Sequence, residues 1–479
     1  MTFEGILAAL ALLSLGLTLW QWIAARRFAL HRRTAWNASL RLDDLDDTPI
    51  RAMPGRKPAL PSVTLLKPLK GVDKHTEACL RSWFVQEYAG EIQLLFAVAD
   101  AKDPVCLIVE KLIGEFSQRN AQLVVCAERR GMNAKVSQLA QLQPLAKHNV
   151  LIVSDADVFV PPDLLANLVL PWALDRRAAG TGARRVGLIT CFYRLANPCT
   201  SAMRCEAVAI NADFWSQVLQ SRDLKPLDFA LGAVMAVRRE ALEQIGGFAA
   251  FADHLADDYQ LGNRVARAGW RIELCPVVVE CRDPAKSWRQ VWSHQLRWGR
   301  TIRVCQPLPY FFSILSNALL WPLLLMVSAF SGIEVTTGSS DLFFSLVLPK
   351  SVLFGCLCLV LRALVALDLQ RRLTRSYAHF HGWWLVPVKD LIQAAVWLLA
   401  FVGNRIEWRG EHYRLRRDGR LERVSPRQGF AVRIPPNFRP HRRTEIYETC
   451  AHKVGTVHAQ PRPLTETAAE ELSRQPQRQ

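Results

Sequence analysis

Apolar residues in this chain fall into two textures. Long uninterrupted runs lie near its start and in its last third, and short β-branched runs alternate with helical periods between them. Residues 5–25 carry no charge and are long enough to cross a hydrocarbon core of about 30 Å. Arg26, Arg27, Arg32 and Arg33 follow, against Glu4 alone before the run. The positive-inside rule then puts the N-terminus outside and the next segment in the cytoplasm. Basic residues on that flank, with no small-residue cleavage site before them, argue against a cleaved signal peptide. Residues 310–331 read as a clean span, and residues 342–367 as a poorer one, interrupted by Pro349, Lys350 and Arg362. Between them, residues 332–341 hold Glu334 and Asp341 and no Lys or Arg, which predicts an outside loop; Arg371, Arg372 and Arg375 predict an inside one. Residues 383–402 are broken by Pro387, Lys389 and Asp390. A full crossing there would place the basic stretch 405–423 outside, so a re-entrant or interfacial helix is expected.

Between residues 56 and 303 the pattern alternates strands and helices, as a mostly parallel α/β sheet requires. Strands are expected at 63–66, 92–99, 123–125 and 150–153, with helices at 77–84, at 104–116 and from Val136. This order brings Asp100, the loop from Gly131 to Lys135, and Asp155 to one sheet edge, where such folds bind ligands. A strand at 231–237 and a helix at 239–245 follow, then a helix starting at Asp257 and Asp258. Residues 288–304 form a basic amphipathic helix suited to a membrane surface. The chain thus divides into a membrane helix (1–27), a sheet domain (56–303), further membrane helices (309–403), a basic cytoplasmic segment (404–424) and a polar tail (425–479) expected to be disordered.

Half the residues are hydrophobic and 22% charged, with a formal net charge of +17. Much of the basic excess flanks apolar spans, where anionic lipid attracts Lys and Arg. A lipid bilayer is therefore the expected partner, and nucleic acid is not. The 12 cysteines include no CxxC pair, which suggests neither a zinc site nor a disulfide framework. Asp155 and Asp157 follow a buried strand, where a carboxylate pair can hold a divalent cation and, through it, a diphosphate. Asp258 can serve as a base toward a hydroxyl, or one acid of the Asp257–Asp258 pair can cap its helix. Gln295 and Trp298 lie three apart on a helix and can face one site, with Arg297 between them.

The ordered set Lys67-Pro68-Leu69-Lys70-Gly71, Asp100, Gly131-x-Asn133-x-Lys135, Asp155-Ala156-Asp157, Asp257-Asp258-Tyr259 and Gln295-x-Arg297-Trp298 resembles the ceramide glucosyltransferase family. The likeness runs from the first span to Trp408, Tyr413 and Arg414. It implies a GT-A (Rossmann-like) fold, a UDP-sugar donor, Mg²⁺ or Mn²⁺, a membrane-lipid acceptor and inversion at the anomeric carbon. It also implies a place in a bacterial inner membrane with the catalytic domain cytoplasmic. By position, Lys67, Asp100, Gly131, Asn133, Lys135 and Asp155 resemble donor-binding residues, Asp155 and Asp157 metal ligands, and Asp258 the base. Gln295, Arg297 and Trp298 resemble the motif that closes over diphosphate and acceptor. The spacing is one residue shorter than the Gln-x-x-Arg-Trp of processive polysaccharide synthases, which form an alternative reading. Thr190–Arg194, Phe229–Gly232 and Arg297–Arg303 look closer to the family's hopanoid-glycosylating branch than to its bacterial ceramide branch.

Overall fold

The computed structural model describes residues 3–33, 60–175, 184–331, 350–408 and 411–424. The expected outside loop at 332–341 and the tail at 425–479 lie outside the described residues. The chain opens with α1 (Phe3–Arg27) and then alternates β1 (Val63–Pro68), α2 (Thr76–Phe84), β2 (Ile92–Val98), α3 (Val105–Glu115), β3 (Asn120–Val125), α4 (Ala134–Leu142), β4 (Val150–Ser154), β5 (Val158–Phe159) and α5 (Leu164–Asp175). Next come β6 (Val186–Leu195), α6 (Ser201–Val208), a π-helical turn (Ala209–Phe214), α7 (Trp215–Leu224), β7 (Val234–Arg238), α8 (Arg239–Gln244), α9 (Asp257–Arg267), β8 (Arg271–Cys281) and α10 (Trp288–Cys305). The last described part holds α11 (Pro307–Phe312), α12 (Leu320–Ser331), α13 (Lys350–Thr374), α14 (Leu385–Ala400), β9 (Arg405–Trp408), β10 (Glu411–Leu415) and β11 (Leu421–Arg423).

Eight strands form one sheet in the order β3-β2-β1-β4-β7-β6-β8-β5. The four expected strands are parallel to one another. The remainder is mixed: β7 is antiparallel to β4 and to β6, β6 is parallel to β8, and β5 is antiparallel to β8. Six of the eight strands therefore run in one direction, as the mostly parallel expectation requires, and only β7 and β5 oppose them. Strand alternation sends Leu65, Leu94 and Ile152 into a core with α2, α3 and α5. Leu66, Leu95, Leu151 and Val153 face the opposite way, into a core shared with α4, α7, Val365 and Leu369 of α13, and Leu385 of α14. The apolar helices are thus packed directly onto one face of the sheet domain.

Helices α1 and α13 are each long and apolar enough to cross a membrane. Their basic C-terminal ends meet: Arg372 Nη2 donates to the carbonyls of Ala25 and Arg26, each at 3.4 Å. At the other end Leu7 and Ala11 lie beside Phe354, so the two helices run parallel. Arg194 Nη1 reaches Thr374 O at 3.3 Å, so the end of α13 also touches β6.

The clean span expected at 310–331 is instead a helix pair bent by 48°. Asn317 makes the break: its Oδ1 accepts from Leu319 N (3.2 Å) and Leu320 N (2.9 Å), starting α12 afresh. Of the poorer span, residues 342–349 lie outside the described residues, and the rest belongs to the unbroken 25-residue helix α13, in which Arg362 is buried against protein partners. Arg362 bonds Asp213 at 2.9 Å and holds Asp390 with two bonds of 2.9 Å, and Lys389 joins the same two carboxylates. The charges that interrupt residues 383–402 therefore face protein. The stretch at 405–423 folds as a three-stranded antiparallel sheet and docks beside α9, with Leu421 N on Asp253 O (2.7 Å) and Leu255 N on Gly419 O (3.3 Å).

Candidate functional site

Strand β1 ends in Lys67, which is 0% exposed. Its Nζ donates to Ser154 Oγ at 3.2 Å and to the Asp155 carbonyl at 2.5 Å, fixing the turn that follows β4. Burial brings this ammonium down to about 8, against the attraction of Cys79, Asp157 and Asp155. Lys67 therefore shapes the Asp155 turn from beneath. Lys135, in the first turn of α4, is the cation that joins carboxylates: its Nζ lies 2.6 Å from Asp155 Oδ1 and 2.7 Å from Asp257 Oδ2. Burial opposes its charge, but Asp155 and Asp257 outweigh burial and hold the ammonium above its usual range.

Asn133 caps α4, accepting from Lys135 N (3.0 Å) and Val136 N (3.2 Å). Its amide donates to His254 O at 2.8 Å, and the residue is fully buried, so it acts by tying α4 to the loop before α9. Gly131 is required by the same joint. Its φ is +137°, and a Cβ there would lie 2.6 Å from the Ala252 side chain. Asp100 stands exposed at the end of β2, with Oδ1 accepting from Lys102 N at 2.9 Å.

At Asp157 burial, then Asp155 and Asp283, push the carboxyl up to about 7. Asp283 had no signal in the chain pattern. It follows β8, whose run is interrupted by Pro276 at a bulge, and it pairs with Lys286 at 2.6 Å. Asp258 begins α9 beside Asp257. The N-cap of this helix is Ala256, without side-chain capping, so capping does not explain either acid. Asp258 Oδ1 accepts from Tyr259 N at 2.7 Å, while Oδ2 faces Gly232, where a Cβ would approach it to 3.1 Å. Burial and then Asp257 raise its carboxyl to about 7, with Lys135 pulling the other way.

Helix α10 contributes a second polar group. Gln295 Nε2 donates to Glu206 Oε1 at 3.0 Å, and His294 Nδ1 lies 2.6 Å from the same oxygen. Burial raises the Glu206 carboxyl, and His294, Lys286 and Gln295 more than reverse it, so it stays ionised. The His294 ring lies 4.6 Å from that of Trp298, one turn along, with the planes tilted by 58°. Gln295 and Trp298 therefore join one neighbourhood through Glu206 and His294, and Arg297 lies close enough to disfavour protonation of His294. Tyr193 of β6 packs on Phe214 (ring centroids 5.4 Å apart), whose ring lies 6.3 Å from Trp298. Its hydroxyl is driven well above its usual range by burial, with Asp258, Asp155 and Glu206 all contributing, so it remains a proton donor. Glu206 and His294 went unread in the sequence, with only the four-residue spacing of His294 and Trp298 to hint at the second, and Tyr193 was read only as part of the Thr190–Arg194 motif. Beside this group, Trp288, Val291, Trp292, Ile392, Glu206 and Gln295 line a cavity of about 290 Å³ between α6, α10 and α14.

A family model, Glycosyl transferase family 21, matches residues 7–421. The chain belongs to this family. Among curated relatives of this family 21 chain, ceramide glucosyltransferase of Candida albicans is 34% identical over 119 residues, 22% of each chain. Ceramide glucosyltransferase 1 of Caenorhabditis elegans is 24% identical over 231 residues, 45% of this chain and 44% of the relative. The chain thus spans less than half the length of these relatives. Among solved structures it is similar to the mannosyltransferase PcManGT of Pyrobaculum calidifontis in complex with GDP-Man and Mn²⁺ (TM-score 0.43, 19% identity, 81% of this chain and 99% of that one). It is also similar to glucosyl-3-phosphoglycerate synthase of Mycobacterium tuberculosis with Mn²⁺, UDP and phosphoglyceric acid (TM-score 0.30, 16% identity, 49% and 78%). The sheet domain has the α/β architecture expected from the sequence.

Among the described residues no group of three or more His, Cys, Asp or Glu side chains forms a ready metal cage. A cation that completes its shell with water and substrate phosphate needs only one or two carboxylates. The crowding of Asp155, Asp157 and Asp283, which raises Asp157, is the excess negative charge that such a cation offsets. The site fits Mg²⁺ or Mn²⁺ in that mode.

Proposed function

We propose that this chain transfers a hexose from a UDP-sugar, N-acetylglucosamine or glucose, to a hydroxyl of a membrane lipid, with inversion. The observation that carries this reading is the meeting of two unlike surfaces. A carboxylate and ammonium cluster (Asp155, Asp157, Asp257, Asp258, Lys135) lies at the sheet edge, and Lys286, 2.6 Å from Asp283 and 3.6 Å from Glu206, connects its flank to an apolar cavity lined by Glu206 beside the membrane helices. Asp157 and Asp155 would hold a divalent cation, which when bound neutralises the leaving diphosphate. Asp258 takes the proton of the acceptor hydroxyl, and Arg297 adds positive charge toward the diphosphate. For the acceptor we favour a hopanoid polyol such as bacteriohopanetetrol, on the motifs at Thr190–Arg194 and Arg297–Arg303. Ceramide is the second reading, favoured by the ceramide glucosyltransferases among its relatives. Purified protein given radiolabelled UDP-N-acetylglucosamine or UDP-glucose with each lipid should form one lipid-soluble product. A polymer would instead indicate a processive synthase, and no product with any pairing would sink the reading.

Asp157→Ala is expected to raise the KM for UDP-sugar by about tenfold or more and to flatten the response to Mn²⁺ or Mg²⁺. Full wild-type activity in excess chelator would remove the metal from the scheme.

The orientation we propose places the sheet domain and β9–β11 in the cytoplasm of a bacterial inner membrane. The parallel course of α1 and α13, and the docking of β9–β11 on the loop before α9, support it. Single cysteines at Ser339 and Asp418, with native cysteines replaced, can be probed on intact cells with an impermeant thiol reagent. Labelling at Ser339 alone is expected; labelling at Asp418 would reverse the assignment of the last segment.

A further inference from the structure

We propose that a second site, walled by the end of α10, the end of α14 and strands β9 and β10, binds the phosphate group of an anionic phospholipid. The cavity there measures about 790 Å³ and is lined by Arg300, Arg303, Arg405, Arg414 and Arg417, with Phe401 and Val402 on its rim. Among the described residues none of these five guanidiniums has a carboxylate partner within 4 Å, whereas Arg81, Arg194, Arg282 and Arg416 each pair with a glutamate. Arg405 and Arg414 sit directly opposite each other in the β9–β10 register, where like charges repel. Arg300 and Arg303 each keep a buried Nε without a hydrogen-bond partner. Such an arrangement is unfavourable without an anion and strongly favourable with one, because each guanidinium offers forked donors to phosphate oxygens.

The cavity is also built in advance. Arg300 is held by the carbonyls of Val402 (3.0 Å) and Arg405, and Arg303 by Asn404 Oδ1 and the Phe401 ring, 5.8 Å from its guanidinium. Arg414 and Arg417 remain exposed and able to close on a ligand.

The neighbourhood selects a lipid as the source of the phosphate. Val402 is 64% exposed on the rim, and Leu308 and Phe312, just past the lining residue Pro307, are 70% and 57% exposed. Apolar surface of that kind beside a basic cavity, at the end of membrane helices, matches a headgroup whose acyl chains run along α11 and α14. No residue lining the cavity belongs to the carboxylate cluster of the proposed transferase site, and lipid retention is read without sugar transfer, so this inference stands whether or not that reading does.

The full-length protein in detergent, given phosphatidylglycerol or phosphatidylcholine and observed by native mass spectrometry, tests the site. Wild type should retain phosphatidylglycerol in preference to phosphatidylcholine. Arg414→Gln combined with Arg417→Gln should weaken that retention by about tenfold or more, taking a lysine or arginine near anionic lipid at its usual worth. Arg416→Gln, which removes an exposed arginine paired with Glu422 outside the cavity, should leave it unchanged. Unaltered melting temperature and UDP binding will show that the double variant is folded. Equal retention of both lipids, or equal loss with Arg416→Gln, overturns the proposal. Displacement of phosphatidylglycerol by millimolar inorganic phosphate or pyrophosphate would assign the cavity to a soluble anion and overturn the lipid source.

Discussion

Asp258→Asn should lower sugar transfer by at least about 10²-fold while leaving UDP binding and melting temperature near wild type. The substitution keeps the shape of the side chain and its bond from Tyr259 N, and removes only the ability to accept a proton. A purely structural acid at this position would act by capping α9, yet the cap residue is Ala256. The electrostatics also suit a base. Burial and the adjacent Asp257 raise the Asp258 carboxyl to about 7, near the range where a base is both available and strong enough. The sign follows directly: the base works deprotonated, so kcat/KM should climb as pH rises through about 7 and fall below it. The Asn variant should lose that limb. A variant that melts much earlier but turns over normally would show that Asp258 serves the fold.

The parts of this arrangement that were legible in the sequence share one property: their signal is local. Val150–Val153 is a short apolar run, so β4 and the carboxylates after it could be placed, and the same holds for β1, β2 and β3. Lys135 could be read as a cation at a helix start, although not as the bridge between Asp155 and Asp257 that the fold makes of it. Strand β8 was hidden because Pro276 interrupts it, and the bulge that accommodates the proline appears only once β6 is alongside. With β8 unread, Asp283 had no address. Glu206 is a charge with no local excuse for burial; His294, Gln295 and Lys286, which justify it, come from a segment about 80 to 90 residues away. Asn133 and Lys67 look like ligand contacts by residue type, and the fold adds that each also holds backbone in place. Hydropathy erred in the opposite direction at residues 310–331, where Asn317 breaks a run that looks uniformly apolar.

Arg362→Ala is expected to destabilise the protein by about 3–5 kcal/mol, because it leaves Asp213 and Asp390 buried without their main cation. Read as hydropathy, Arg362, Lys389 and Asp390 are three defects in two apolar helices. In the fold they and Asp213 form a buried set of two positive and two negative charges, with Arg362 2.9 Å from both carboxylates and Lys389 2.8 Å from Asp390. Removing one member exposes the desolvation that the others suffer, whereas replacing all four with apolar residues of similar volume should be neutral or stabilising by about 1–4 kcal/mol. Arg362→Lys should fall between, since it keeps the charge and loses the forked contact to Asp390. Melting of the detergent-solubilised variants measures these differences, and a single variant that melts like wild type would show that the cluster carries no stability. The cluster also sets function at a distance. Asp213 ends the π-helical turn that follows α6, and Lys389 of α14 lines the apolar cavity beside Glu206 and Gln295. A loosened cluster should therefore raise the KM for the lipid acceptor and leave the KM for UDP-sugar nearly unchanged, because the residues proposed to bind the donor lie at or just past the ends of β1, β2 and β4 and at the start of α4. Equal effects on both KM values would mean that the cluster supports the whole domain and not the acceptor side in particular.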